Sequence, residues 1–297
     1  MKCAIIGSTK ISEIHIREFI NNNAKSITII SRELSKARKI IKKLNKKFNY
    51  KFVAANISIL KKKSFDIIDI CSNTKYHLKH LNYIPKNNSL ILVEKPIFDL
   101  SNLKDNLKTE LNLIYQKHKK IFVCYPMYYL GKSFLHNYKY NKTIKKIEII
   151  YKTTGKHKTR EICLDLAPHA LSLIYSLTKP NKLNKVKIIK QNYSKSIWNS
   201  QGFINNLKYI FKFSEDKMRV KSRFIFKIND QKITRPTKII NNKFINYFNY
   251  KKKIVLISNP MSNVIQNAIK AKNKKNILDD NKKLTYWLMD INRKIYN

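Results

Sequence analysis

Through residue 125 the chain alternates short apolar runs with longer segments of helical period. The apolar runs are Cys3–Ile6, Ser26–Ile30, Tyr50–Ala54, Phe65–Cys71, Ser89–Val93 and Ile121–Cys124, each four to seven residues long. Runs of that length and composition predict strands. Between them Ser12–Asn22, Glu33–Phe48, Lys75–Tyr83 and Leu100–His118 predict helices. In the second of these Ala37, Ile40, Ile41 and Leu44 make one stripe, with lysines on the opposite face. Strands alternating with helices imply βαβ units around a parallel sheet. Right-handed crossovers then make a doubly wound arrangement the natural solution.

Beyond Tyr125 the period changes. Thr143–Lys152, Lys185–Tyr193, Phe203–Phe213 and Lys217–Ile228 are long, β-rich and alternate apolar with polar. That pattern predicts a mostly antiparallel sheet with one solvated face. Helices are predicted over Leu164–Leu177, Met261–Lys272 and Asp280–Lys294. The change of pattern after Tyr125 suggests domains of 1–125 and 126–297, and with no Gly- or Ser-rich linker between them they are expected to pack directly. The fold class expected is α/β: an N-terminal Rossmann-type, doubly wound parallel sheet, then an α+β domain with a large, mostly antiparallel open sheet.

Composition changes this picture little. With 297 residues and 43% hydrophobic content, the chain can build two cored domains. No apolar stretch reaches the ~20 residues of a membrane helix. The N-terminus shows no basic-then-apolar leader, so a cytoplasmic protein without membrane association is expected. Cys3, Cys71, Cys124 and Cys163 are scattered, with no Cys-x-x-Cys pair. They read as buried free thiols, and no metal site is expected. The net charge of +44 is the outlier, and it raises the idea of a polyanion partner. Yet only eight of the 62 basic residues are arginine, the side chain that best reads phosphate geometry and base edges. The lysines are spread over helices and loops alike. The charge therefore reads as compositional drift, with no specific nucleic-acid partner.

Candidate chemistry lies in three places. Gly7-Ser8-Thr9-Lys10-Ile11-Ser12 follows the first strand. A dinucleotide fingerprint wants glycine at positions 7, 9 and 12, and only Gly7 is present. Gly7 permits the tight turn. The hydroxyls of Ser8, Thr9 and Ser12, the charge of Lys10 and the helix N-terminus at Ile11 suit a phosphate. The second strand ends at Ser31-Arg32 rather than at an acid. A serine and an arginine there suit a ribose 2′-phosphate, which tilts the cofactor from NAD toward NADP. Third, the apolar run Leu90–Val93 stops abruptly at Glu94-Lys95-Pro96. Charged groups delivered to a strand's carboxyl end are how open α/β sheets build active sites.

These residues resemble the glucose–fructose oxidoreductase/inositol dehydrogenase (Gfo/Idh/MocA) family. Glu94-Lys95-Pro96 matches the family's Glu-Lys-Pro motif unchanged, and Gly7-x-Thr9-x-x-Ser12-x-x-His15 stands where the family has its glycine turn and a following histidine. Asp69-Ile70-Cys71-Ser72-Asn73-Thr74-Lys75-Tyr76-His77 matches a strand, turn and histidine, with Lys75 in place of proline. Asp165-x-x-x-His169 matches an acid and histidine on a helix facing the nicotinamide, while Ser172 stands near a position where relatives often have a further acid. The resemblance fades beyond residue 185. It implies that Ser72, Asn73, Thr74 and His77 line the ribose and nicotinamide side. Glu94 and Lys95 would sit beside the nicotinamide ribose, with a Lys95–Pro96 bond that is often cis. It also implies His169 as general acid/base, a carbohydrate-like substrate, and a homo-oligomer (dimer or tetramer) formed through the open sheet.

Elementary chemistry agrees. Oxidising an alcohol requires a base for the hydroxyl proton, and histidine suits that task near neutral pH. Asp165, four residues before His169, would share its helix face. Pro168 argues that this helix begins near Ala167, with Asp165 just before or at its N-cap. Lys95 offers a charge that steadies a developing alkoxide. Tyr125, Tyr128 and Tyr129 read either as cleft-lining or as core aromatics, His80 as a surface or packing residue, and His15 as an ordinary histidine. The alternative function is a nucleotide-binding scaffold or sensor of the same fold that has lost catalysis, suggested by the two missing glycines.

Overall fold

A computed structural model describes residues 1–99, 107–180, 185–218, 222–240 and 243–296, with side chains undescribed at 107, 237–240 and 243–244. It divides into two compact units: Met1–Cys124 with Val264–Tyr286, and Tyr125–Asn263 with Trp287–Asn297.

The first unit holds a parallel sheet of β1 (Lys2–Ile6), β2 (Ser26–Ile30), β3 (Phe52–Ala55), β4 (Ile67–Ile70), β5 (Leu90–Glu94) and β6 (Ile121–Cys124). The strand order is β3-β2-β1-β4-β5-β6, all parallel. This is the expected doubly wound sheet, and its order reverses between β1 and β4. The strands are near-continuous apolar runs because helices cover both faces; β4 and β5 are buried at every position. Helices α1 (Lys10–Asn21), α2 (Leu34–Asn45), α3 (Ile59–Lys62), α4 (His77–Tyr83) and α5 (Leu107–Lys117) connect them. The first residues of the helix expected over Leu100–His118, 100–106, lie outside the described residues. At the outer edge, Asn281 covers β6. Its Oδ1 accepts the Val123 N–H at 2.7 Å and its Nδ2 donates to the Val123 carbonyl at 2.9 Å. An edge strand is thereby closed without another strand.

The second unit begins with α6 (Pro126–Tyr138), a helix the sequence reading did not include. Pro126 stands at its first turn, where proline lacks nothing the helix needs. Gly131 lets α6 lie against α7 (Glu161–Thr178), because a Cβ there would fall 1.8 Å from Ser176 Oγ. The sheet contains β7 (Lys146–Thr154), β8 (Val186–Ser194), β9 (Ile197–Ile204), β10 (Leu207–Asp216), β11 (Arg223–Ile228), β12 (Gln231–Thr234), β13 (Thr237–Ile240), β14 (Lys243–Tyr250) and β15 (Lys253–Ile257). Its order is β13-β14-β12-β11-β7-β10-β9-β8, with β15 on β14. The β7–β10 pair is parallel and the other pairs are antiparallel. The expected large, mostly antiparallel sheet is thus present. The run read as Phe203–Phe213 is two strands of a hairpin, turning at Asn205 with φ 53°. Part of the Lys217–Ile228 run, residues 219–221, lies outside the described residues. The chain ends with α8 (Pro260–Ala271) and α9 (Lys275–Tyr296). Among the described residues no helix is long and apolar enough to cross a membrane.

Candidate active site

Gly7 ends β1 with φ 130°, a conformation L side chains avoid. A Cβ there would fall 2.8 Å from the carbonyl carbon and oxygen of Cys71. The turn therefore needs glycine twice over, for its backbone angle and for the approach of the β4 end. Thr9 caps α1. Its Oγ1 accepts the Ser12 N–H at 3.4 Å and donates to the Cys71 carbonyl at 3.3 Å, while Ser12 Oγ accepts the Thr9 N–H at 3.0 Å and donates to the Thr9 carbonyl at 2.6 Å. This capping box corrects one expectation: the Thr9 and Ser12 hydroxyl protons are committed within the turn rather than offered to a phosphate. Ser8 is half-buried, Thr9 and Lys10 are exposed, and Ile11 is half-buried. Helix geometry leaves the first N–H groups of α1, at Lys10 and Ile11, without intrahelical acceptors. At the end of β2, Ser31 N–H donates to the Ala55 carbonyl at 3.2 Å, and the Arg32 side chain is 89% exposed.

Behind this turn lies a group the sequence reading passed over. His15, on the inner face of α1, is wholly buried. Its Nδ1 donates to Asp69 Oδ2 at 2.8 Å and its Nε2 to Glu94 Oε1 at 2.9 Å. Cys71 Sγ lies 3.3 Å from both His15 Nδ1 and Asp69 Oδ2, and Cys124 Sγ 3.9 Å from His15 Nε2. Two donating nitrogens require the imidazolium. Burial opposes that charge, but the charge and hydrogen bond of the Asp69 carboxylate hold the His15 pKa well above an ordinary histidine's. Burial would likewise raise the Glu94 pKa, yet the His15 hydrogen bond and charge bring it down to about 2. The Cys71 thiol is pushed far up, chiefly by burial, and stays protonated. Sequence spacing showed no His/Cys/Asp cluster because these five residues meet only when β4, β5, β6 and α1 assemble. The available signals were an acid inside the apolar run Ile67–Ile70 and a histidine sharing the inner face of α1 with Ser12, Ile16 and Phe19.

Glu94 Oε2 in turn accepts the Lys95 N–H at 3.2 Å. The Lys95–Pro96 peptide is cis, as the resemblance implied. On the other side, His77 places Nδ1 3.0 Å from the Pro96 carbonyl and Nε2 2.9 Å from the Ser72 carbonyl. His77 is fully buried, with its pKa lowered mainly by that burial. It braces the Ser72 loop against Pro96, so its route to any ligand runs through those two carbonyls. Ser72 Oγ lies 3.0 Å from Nδ1 of His80, whose pKa falls to about 4 through burial and the neighbouring His77. Asn73 Oδ1 accepts the Lys75 N–H at 3.3 Å and caps the short turn Thr74–Tyr76. Glu94 and Lys95 at the end of β5, Ser72–Thr74 after β4 and Gly7–Ile11 after β1 thus share the carboxyl ends of three adjacent strands.

Residues 1–125 match the sequence profile described as "Oxidoreductase family, NAD-binding Rossmann fold", Gfo/Idh/MocA. Over those residues the chain is similar to that family. No curated protein matches the chain in sequence. Solved structures share its fold along nearly the whole length. A UDP-N-acetylglucosamine 3-dehydrogenase of Acidithiobacillus ferrooxidans aligns with TM-score 0.70 at 12% identity, covering 99% of this chain and 96% of that one. A 3-ketoreductase of Actinomadura kijaniata, solved with NADP, aligns with TM-score 0.70 at 9% identity, covering 99% and 97%. An oxidoreductase of Agrobacterium radiobacter, solved with NAD+, L-tartaric acid and magnesium, aligns with TM-score 0.63 at 9% identity, covering 98% and 94%. At this turn Gly7 is followed by a cap-forming Thr9, and the Glu94-Lys95-Pro96 turn is held by two buried histidines.

In the second unit, α7 carries Asp165 and His169 one turn apart, both half-buried. The helix begins at Glu161, so the expected start near Ala167 is corrected, and Asp165 lies within the helix rather than at its N-cap. Pro168 lacks only the N–H that would reach residue 164. The buried stripe Ile162, Cys163 and Leu166 carries the helix through it. The His169 ring meets Tyr151 edge-on, with centroids 5.5 Å apart. Tyr125 is a core residue at 1% exposure, while Tyr128 and Tyr129 are half-buried on α6 and pack edge to face. Two residues absent from the sequence reading join Asp165. Glu215, at the end of β10, is bonded to His157, and donor atoms of His157, Asp165 and Glu215 all lie within 4.8 Å of one another. Glu215 keeps the inward phase of Leu207, Tyr209, Phe211 and Phe213, so an acid in the apolar phase of a strand was its signal.

Proposed function

We propose that the protein is an NAD(P)-dependent dehydrogenase or reductase acting on a hydroxyl or carbonyl of a sugar, cyclitol or sugar derivative. The observation that carries the reading is the Glu94-Lys95-Pro96 turn, held from behind by His15 and His77 at the carboxyl ends of the strands beside Gly7. Those residues fit a dinucleotide. The turn at Gly7 tolerates no Cβ, and Lys10 and Ile11 begin a helix whose N-terminus favours a pyrophosphate. When bound, the nicotinamide accepts or supplies the hydride. The chain's own residues do the rest. The Lys95 ammonium polarises the substrate carbonyl or steadies the alkoxide. His169 takes the hydroxyl proton on oxidation and returns it on reduction. Asp165 accepts a hydrogen bond from a substrate hydroxyl. Ser31 and Arg32 favour NADP over NAD, since no carboxylate stands at position 31 to bind a ribose 2′-hydroxyl.

The UDP-N-acetylglucosamine 3-dehydrogenase among the structures of like fold supports a carbohydrate-like substrate. The test is NADPH oxidation with a panel of keto-sugars and ketocyclitols. Turnover that persists unchanged in both Lys95→Ala and His169→Ala would overturn the assignment of roles.

A further inference from the structure

We infer that His157 is a positioning residue for the proposed reaction, clamped by Glu215 so that its imidazole holds Asp165 as an acceptor for a substrate hydroxyl. This rests on the hydride-transfer reading above and deepens it.

The clamp is built around a buried acid. The Glu215 side chain is wholly enclosed. Its Oε2 accepts the His157 main-chain N–H at 3.0 Å, and both carboxylate oxygens lie against His157 Nδ1, at 3.2 and 3.0 Å. Gly155 makes the approach possible. A Cβ there would fall 1.9 Å from Glu215 Oε2, and the Gly155 N–H is tied to the Asp216 carbonyl at 3.0 Å. A buried carboxylate needs a partner, and the segment after β7 wraps around this one to supply it. The ring that results is 39% exposed and lies against α7. Three acids face it: Glu215 from β10, and Asp165 and Glu161 from α7. The Glu215 hydrogen bond raises the His157 pKa above an ordinary histidine's against the effect of partial burial. The charges of Glu215, Asp165 and Glu161 raise it further. His157 thus stands between the buried acid and the acid that shares a helix face with His169.

The experiment is an NMR titration of the histidine rings in the full chain, followed by pH profiles of kcat/KM. In wild type His157 titrates above ordinary histidine, and Asp165→Asn lowers its midpoint by about half a unit, as loss of a nearby unlike charge requires. Glu215→Gln lowers it further; Gly155→Ala, which displaces the same carboxylate, does likewise. His157→Asn keeps a donor toward Glu215 but no charge. It is expected to lower kcat/KM roughly tenfold, the equivalent of one pKa unit, and to remove a limb of the profile. A His157 midpoint identical in wild type and Asp165→Asn would overturn the inference, as would a His157→Asn profile superimposable on wild type. Failure of the underlying functional reading looks different. Wild type would be inert toward every sugar while His157 still sensed Asp165, which removes the role and leaves only the clamp.

Discussion

His15 and His157 each lie between carboxylates, but in opposite surroundings. His15 is sealed where α1 crosses the ends of β4 and β5, with Asp69 on one nitrogen and Glu94 on the other. His157 is 39% exposed, clamped on one side and open on the other. Sealing converts a charge pair into scaffolding. Each partner becomes costly to remove, because the charges left behind have no water to turn to. The open pair gives up that leverage. Its imidazole meets water on the open side while Glu215 stays enclosed, so the ring remains free to respond to pH and ligand. The first cluster fixes the main chain of the Lys95 turn; the second adjusts the electrostatics around Asp165.

The largest effect that sharpens this contrast is on stability. His15→Ala leaves Asp69 and Glu94 buried without their shared cation, and should cost about 3–5 kcal/mol in denaturant unfolding. His157→Ala takes the ring partner from the enclosed Glu215 but leaves it the His157 main-chain N–H, and should cost less, about 1–3 kcal/mol. Equal losses would break the comparison. Next comes Lys95→Ala, expected to lower kcat by roughly 10²–10³-fold in a protein that still folds, since the Glu94 side chain and His77 hold the turn from behind. Gly7→Ala forces a Cβ against the Cys71 carbonyl in a backbone region that suits glycine. It should cost about 1–3 kcal/mol and weaken dinucleotide binding at the same time.

The pH dependence of unfolding separates the two clusters again. Glu94 titrates near 2 when folded against 4.5 as its ordinary value. Its contribution is therefore complete above pH 4.5 and lost as pH falls from 4.5 toward 2. His15 is shifted upward, so its contribution is complete below pH 6.5 and lost as pH rises through its raised folded value. The sealed cluster thus predicts a stability plateau bounded on both sides, and His15→Ala should flatten the acid limb. The smallest effect is at the helix cap. Thr9→Ala removes the hydroxyl that serves the Ser12 N–H and the Cys71 carbonyl, at about 1 kcal/mol.

The parallel sheet was legible because β4, β5 and β6 are buried throughout and its strands read as short, mostly apolar runs. The Glu-Lys-Pro turn was legible because charge follows such a run without transition. Helix α6 was missed because Tyr125–Tyr129 extends an apolar strand with aromatics, and period alone does not mark the change at Pro126. The hairpin of β9 and β10 read as one run because its turn at Asn205 carries no glycine or proline. His15, Asp69, Glu215 and His157 were hidden for a different reason. Their meaning lies in partners 54 to 79 residues away, or 58 in the case of Glu215 and His157. Pro168 misled in the other direction, since a local rule about helix starts yielded to the buried stripe of α7. The pairing of Val264–Tyr286 with the first unit is likewise set by contacts such as Asn281 on Val123, and periodicity does not report those.

The central claim is that a dinucleotide lies on the Gly7 turn beside Lys95, and calorimetric titration of the wild-type chain with NADP and with NAD tests it most directly. The account predicts saturable binding of both, tighter for NADP, with Arg32→Ala weakening NADP roughly tenfold or more, as loss of a charged hydrogen bond should, and leaving NAD unchanged. No saturable binding of either dinucleotide by folded protein would contradict it.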